Sequence, residues 1–107
     1  MLLKLSEIKL QLRLEDDYTE EDELLTVIGS AVQARTVSFL NRTLYAADAG
    51  VPDTDPDGLV MTDDIRLGML LLATHFYENR SSVSEVEKTE MPLSFTWLVG
   101  PYRFIPL

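Results

Sequence analysis

The chain has 107 residues, 46% of them apolar, which fits one domain with a core of its own and leaves no room for a second. Nine basic residues against 18 acidic ones give a net charge of -9, a balance opposed to a nucleic-acid-binding face and to docking on anionic membranes. With no cysteine and one histidine there is no disulfide framework, no thiolate site and no ordinary zinc finger.

The longest apolar run, Met69 to Ala73, is far too short to span a bilayer, and the N-terminus lacks a signal-peptide pattern. The expectation from composition is therefore a soluble cytosolic domain. The acid is unevenly spread. Glu15, Asp16, Asp17, Glu20, Glu21, Asp22 and Glu23 form one block, and Asp48, Asp53, Asp55, Asp57, Asp63 and Asp64 a second, together 13 of the 18 acidic residues.

The first segment, Ser6 to Leu14, supports two readings. Ser6 can cap a helix in which Ile8 and Leu12 share a face, while Ile8, Leu10, Leu12 and Leu14 alternate as in a strand. The favoured expectation is a short helix over about 6–13. Thr19 then opens a Thr-x-x-acid cap with Asp22, and Glu20, Glu21 and Asp22 fall where a helix dipole favours negative charge. Leu25, Ile28, Val32 and Phe39 recur at helical spacing, so the expectation is a long amphipathic helix over 19–41, stopped by Asn41. Gly29 weakens that helix by about 1 kcal/mol relative to alanine and suits close approach of another helix.

Residues 43–62 read as a loop, punctuated by Gly50, Pro52, Pro56 and Gly58. Its length is unusual for a compact domain and points to a role or to mobility. Thr62 or Asp63 caps a third helix over 63–80, with Ile65, Met69, Leu72 and Phe76 on one face. Leu67, Leu70, Leu71 and Ala73 make its middle apolar on nearly every side, which hints at burial against another subunit. Residues 81–91 read as polar and extended. Pro92 suits the first position of a last short helix, 92–99, with Leu93, Trp97 and Leu98 expected to face inward. Gly100 and Pro101 end it, and a tail over 100–107 follows. The expected fold class is all-α: a small bundle of about four helices with a long central loop and an extended C-terminal tail.

Three groups of residues invite a chemical reading. Asp53-Thr54-Asp55-Pro56-Asp57-Gly58 resembles the start of a calcium-binding EF-hand loop, with oxygen ligands at alternate positions, a turn glycine and Asp64 at the twelfth position. The twelfth ligand is normally glutamate, and Gly50 and Pro52 break the helix that should enter such a loop. A solvated acidic turn is therefore the favoured reading of Asp53, Asp55, Asp57 and Asp64. His75 pairs on paper with Ser81 or Ser82 as base and nucleophile, but no third group orients it, which favours a packed or interfacial histidine. The block Glu15 to Glu23 could hold a metal or general acid/base carboxylates; a helix N-terminus explains it with fewer assumptions. The tail carries four apolar side chains worth about 6–12 kcal/mol if all were buried. Whether it folds over its own core or docks on a neighbour is open.

Several segments in order point further. His75-Phe76-Tyr77-Glu78-Asn79-Arg80 ends the third helix, Met91-Pro92-Leu93 opens the next, and Leu98-Val99-Gly100-Pro101-Tyr102-Arg103 closes it. Together with the opening Leu3-Lys4-Leu5-Ser6-Glu7-Ile8-Lys9, with Leu12-Arg13-Leu14-Glu15 and with Asn41-Arg42-Thr43-Leu44, these closely resemble the head–tail connector (adaptor) proteins of long-tailed DNA bacteriophages. The resemblance spans nearly the whole chain, is densest from Asp63 onward, and offers least pattern over 44–61.

The resemblance implies an α-helical virion protein at the head–tail junction, made in the host cytoplasm, with no enzymatic activity and no cofactor. It implies a homo-oligomeric ring of about twelve copies beneath the portal protein, joined below to a head-completion or tail protein, with DNA passing through unbound. Candidate contacts to the next subunit or the portal are Leu67, Leu70, Leu71, Tyr102, Phe104, Ile105 and Leu107. A small acidic calcium-binding module or a regulatory or inhibitory domain is the alternative.

Overall fold

The computed structural model describes residues 2–79 and 93–105. Four α-helices dominate: α1 (Leu5–Gln11), α2 (Asp22–Leu40), α3 (Asp63–Glu78) and α4 (Leu93–Val99), the last followed by a 3-10 turn over Gly100–Tyr102. Two-residue strands β1 (Leu44–Tyr45) and β2 (Leu59–Val60) form a parallel pair between α2 and α3. The body measures 41 × 32 × 19 Å, so its thin axis is about two helix diameters. The fold is a predominantly helical small bundle, as the periodicity predicted.

Both first helices start where other contacts allow, and not at the expected caps. In α1 the N-cap is Lys4, whose backbone N–H donates to Glu7 Oε1 at 2.9 Å; Ser6 lies exposed inside the helix. Arg13, in the left-handed region at φ 63, ends α1, and the Leu14 N–H reaches back to the Lys9 carbonyl at 2.8 Å. Helix α2 begins at Asp22 and not at Thr19, because the Asp22 carboxylate is drawn to Lys9 Nζ at 2.8 Å instead of capping. Lys9 is buried, and its ammonium also donates to the Asp16 carbonyl at 3.1 Å. A buried ammonium needs both partners to offset its lost hydration. Asn41 closes α2 in the left-handed conformation, φ 55, as its position predicts.

The core gathers Leu3 and Ile8, then Leu25, Ile28, Val32 and Leu40 of α2, Ile65, Met69, Leu72 and Ala73 of α3, and Phe95 and Val99 of α4. Helix α3 lies between α2 and α4. Where α3 meets α4 the decisive residue is Gly68: a Cβ there would lie 2.7 Å from Val99 Cγ2 and 3.7 Å from the Phe95 ring. The bare backbone lets α4 settle with Phe95 and Val99 inward.

That packing reverses the expected face of α4. Leu93 is 86% exposed and Trp97 78% exposed; only Leu98, of the three residues expected inside, is partly buried. Pro92 and the extended stretch 81–91 lie outside the described residues, as does Arg80 at the expected end of α3.

The expected loop 43–62 is more structured than its glycines and prolines suggest. The Leu59 N–H donates to the Thr43 carbonyl at 2.9 Å and the Met61 N–H to the Tyr45 carbonyl at 2.8 Å, which forms the short parallel ladder. The intervening residues 46–58 are long enough for a parallel connection. Gly58 is buried where they fold back. A Cβ there would meet the Tyr45 ring at 2.7 Å and Val51 Cγ1 at 2.8 Å.

Candidate interaction surfaces

The acidic loop, the end of α2 and the tail meet at one residue, Arg42. It follows the left-handed Asn41, so its side chain leaves the end of α2 towards the loop. Its Nε donates to the Asp57 carbonyl at 2.7 Å, Nη2 to the Gly58 carbonyl at 3.3 Å, and Nη1 to the Tyr102 carbonyl at 3.1 Å. Five fixed donors make guanidinium suited to holding three carbonyls at once. Sequence reasoning gave Arg42 no role. The available signal was its place directly after a helix stop and before an acidic loop.

The tail is held at further points. The Tyr102 hydroxyl donates to Asp64 Oδ2 at 2.7 Å. The Asp64 carboxylate also accepts from the Thr62 hydroxyl and, at 3.1 Å, from the Ile65 N–H. These bonds, that from Thr62 foremost and then that from Tyr102, hold its carboxyl below the usual aspartate range, against a smaller upward push from desolvation. The Phe104 N–H donates to the Leu40 carbonyl at 2.8 Å, and the Arg103 guanidinium lies 5.1 Å from the centre of the Phe39 ring. Up to Phe104, then, the tail lies back on its own chain. Phe104 and Ile105 keep exposed apolar surface, and Leu107 lies outside the described residues.

The four aspartates of the EF-hand-like stretch do not converge. Asp53 and Asp57 are exposed. Asp55 Oδ2 accepts the Tyr45 hydroxyl at 2.8 Å, a bond that, ahead of burial, pushes the Tyr45 phenol up. Asp64 is engaged with Thr62 and Tyr102. Among the described residues no group of three or more histidine, aspartate or glutamate side chains is placed to hold a metal ion. In the first acidic block, Asp22 pairs with Lys9, and Glu21 Oε1 accepts the Tyr18 hydroxyl at 3.3 Å. Burial first, then the charges of Glu21 and Glu20, raise the Tyr18 phenol.

A second ion pair joins Glu7 Oε2 to Arg66 Nη1 at 2.5 Å and links α1 to α3. Desolvation pushes the Glu7 carboxyl up, but the Lys4 backbone N–H and the Arg66 guanidinium outweigh it, and the net direction is down. The His75 ring packs beside Phe76, centroids 6.2 Å apart, and its Nε2 is enclosed without a hydrogen-bond partner among the described residues. Ser81 and Ser82, the paper partners of His75, lie outside the described residues.

Beside the exposed charged residues, several apolar or small side chains face outward. On α3, Leu67 is exposed and Leu70 and Leu71 are half-buried, so one side of this helix is only partly covered by the described residues. On α4, Leu93 and Trp97 form an i, i+4 ridge on the face opposite the core. On the outer face of α2, Ser30, Gln33, Ala34, Val37 and Ser38 line a shallow groove of about 470 Å³. None of these surfaces gathers a nucleophile with a base, and they suit contact with other macromolecules better than chemistry. Compared with known proteins, residues 3–103 match a family model described as phage gp6-like head-tail connector protein. No curated protein and no solved structure matches the chain.

Proposed function

The chain belongs to the phage gp6-like head-tail connector family, and on that premise we propose that it is a ring-forming subunit beneath the portal. The ring would extend the DNA channel and join the head to the next completion protein or the tail. Family membership makes the chain a structural virion component of the head–tail junction, associated with portal and tail components. Among the described residues no helix is long and apolar enough to cross a membrane.

The observation that carries the proposal is the family match across nearly the whole chain. Two physical features support it. A ring is a head-to-tail assembly that closes, so each subunit needs two different adhesive faces. Exposed Leu67 with half-buried Leu70 and Leu71 on α3 offers one, and Phe104 and Ile105 at the end of the tail offer another. Tyr102 contributes to the second through its hold on the tail, and Leu107 extends it in sequence. The net charge of -9 suits a channel through which DNA slides without binding. We assign the lumen to the acidic stretch Asp53 to Asp57 or to the block Asp16 to Glu23.

The test is a phage deprived of this chain. DNA-filled or leaking heads without tails are expected, and adding the purified chain should restore tail joining in extracts. Normal tail attachment without it would overturn the reading.

A further inference from the structure

The loop after α2 holds the one Asp-Gly pair of the chain, Asp57–Gly58. Such a pair carries a reaction of its own. The Gly58 nitrogen can attack Asp57 Cγ: the N–C bond forms, the amide proton and a carboxyl hydroxyl leave as water, and a five-membered imide results. Water then opens the ring. Opening at Cγ restores aspartate. Opening at the backbone carbonyl carbon leaves isoaspartate, with the main chain routed through the former side chain. Glycine favours the attack because no side chain crowds its nitrogen. Here the fold demands that glycine, since a Cβ at residue 58 would meet the Tyr45 ring at 2.7 Å. Packing therefore sets the least hindered neighbour beside an exposed aspartate.

The same fold holds the pair away from the reaction. Asp55 to Gly58 is a β-turn closed by the Gly58 N–H, which donates to the Asp55 carbonyl at 3.1 Å. Among the described residues no peptide bond is cis, and Asp57 lacks the positive φ that a type II turn needs. The turn is therefore type I, with Pro56 in its favoured place, and ψ of Asp57 lies at about 0°. Ring closure needs the Gly58 nitrogen swung towards Cβ, a third of a turn away on the tetrahedral Cα. That swing carries the whole Asp57–Gly58 peptide plane with it. Both polar groups of the plane are held: the N–H by the Asp55 carbonyl, and the Asp57 carbonyl by Arg42 Nε at 2.7 Å. Arg42 Nη2 holds the next carbonyl, that of Gly58, at 3.3 Å.

We propose that Asp57–Gly58 is a site of spontaneous isoaspartate formation and that Arg42 is the positioning residue that slows it. The Asp55–Gly58 bond is a neutral contact and the weaker restraint; the guanidinium is a charged donor. The reaction has a structural consequence. Isoaspartate lengthens the main chain by one carbon inside the stretch that Arg42 ties to the Tyr102 carbonyl, so a modified copy loses the tie between loop and tail.

The test follows isoaspartate at residue 57 by chromatographic peptide mapping while the purified chain is kept warm at neutral pH. The same chain unfolded in urea gives the unrestrained rate. The folded parent should be slower on the order of tenfold or more, and Arg42→Ala should recover much of that difference. Arg42→Lys should do so too, because lysine brings the charge without the fork that reaches three carbonyls. Val99→Ala loosens the core at α4 and leaves Arg42 in place, so it should keep the parent's rate. Asp57→Glu would have to close a less favourable six-membered ring and should give no isomer. In the isomerised fraction, amide exchange at residues 102–104 should be faster than in the parent.

A folded parent that isomerises as fast as the unfolded chain would overturn the proposal. So would Arg42 variants as slow as the parent. A Val99→Ala protein accelerated as much as Arg42→Ala would also overturn it, since opening of the whole fold would then set the rate.

Discussion

Replacing Gly68 by alanine tests why α4 packs as it does. The added Cβ would sit 2.7 Å from Val99 Cγ2, about 1 Å inside an ordinary carbon–carbon contact. Val99 is fully buried and, being β-branched, has little rotamer freedom with which to yield. Overpacking of this kind costs about 1–3 kcal/mol. Alanine gains about 1 kcal/mol of helix propensity over glycine in the middle of α3. The net expectation is a destabilisation of about 0–2 kcal/mol, or a Tm lower by up to roughly 10 °C. The decisive readout is a double-mutant cycle by thermal or urea unfolding. In a Val99→Ala background the clash is gone, and Gly68→Ala should become stabilising by its propensity gain. A Gly68→Ala protein that is more stable than the parent in both backgrounds would refute the claim that Gly68 sets the seat of α4.

Arg42→Ala removes three bonds that tie the loop and tail to the end of α2. It should cost on the order of 1–3 kcal/mol and speed amide exchange at residues 57–58 and 102–104 while leaving α1 unaffected; uniform protection would count against the hub. Acid should destabilise the fold through Glu7 and Asp64. Both have folded pKa values below their unfolded ones, so their contribution is complete above the ordinary carboxylate range and is lost as the pH falls through the folded values. Arg66→Ala and Tyr102→Phe should each flatten that loss below about pH 4, and an unchanged acid limb would refute the assignments. Millimolar calcium should leave Tm unchanged, because Asp55 and Asp64 are engaged with different partners; a rise would show that the loop rearranges into a cation site.

Much of the helical architecture was legible because burial in α2 and α3 follows a single period. Leu25, Ile28, Val32 and Ile65, Met69, Leu72 each trace one stripe, and Asn41 marks its own stop. Helix α4 was not legible, for a physical reason. It carries two apolar i, i+4 pairs on opposite faces, Leu93 with Trp97 and Phe95 with Val99, and periodicity cannot choose between them. The choice belongs to Gly68, more than twenty residues away. The strand pair was hidden because two residues show no alternation. Lys9 was hidden because its two partners, Asp16 and Asp22, lie beyond the end of its own helix. The candidate surfaces divide in the same way. Apolar excess on α3 and in the tail was visible as composition, whereas the Arg42 hub and the α4 ridge depend on how distant segments meet.

The central claim, a ring-forming connector subunit, is tested most directly by the mass of the species that the purified chain forms alone and on isolated portal. The account predicts a closed ring of about a dozen copies in at least one of these conditions, seen as a single species by sedimentation and imaging. A chain that is monomeric in both, or that binds the portal as separate copies without touching its neighbours, would contradict it.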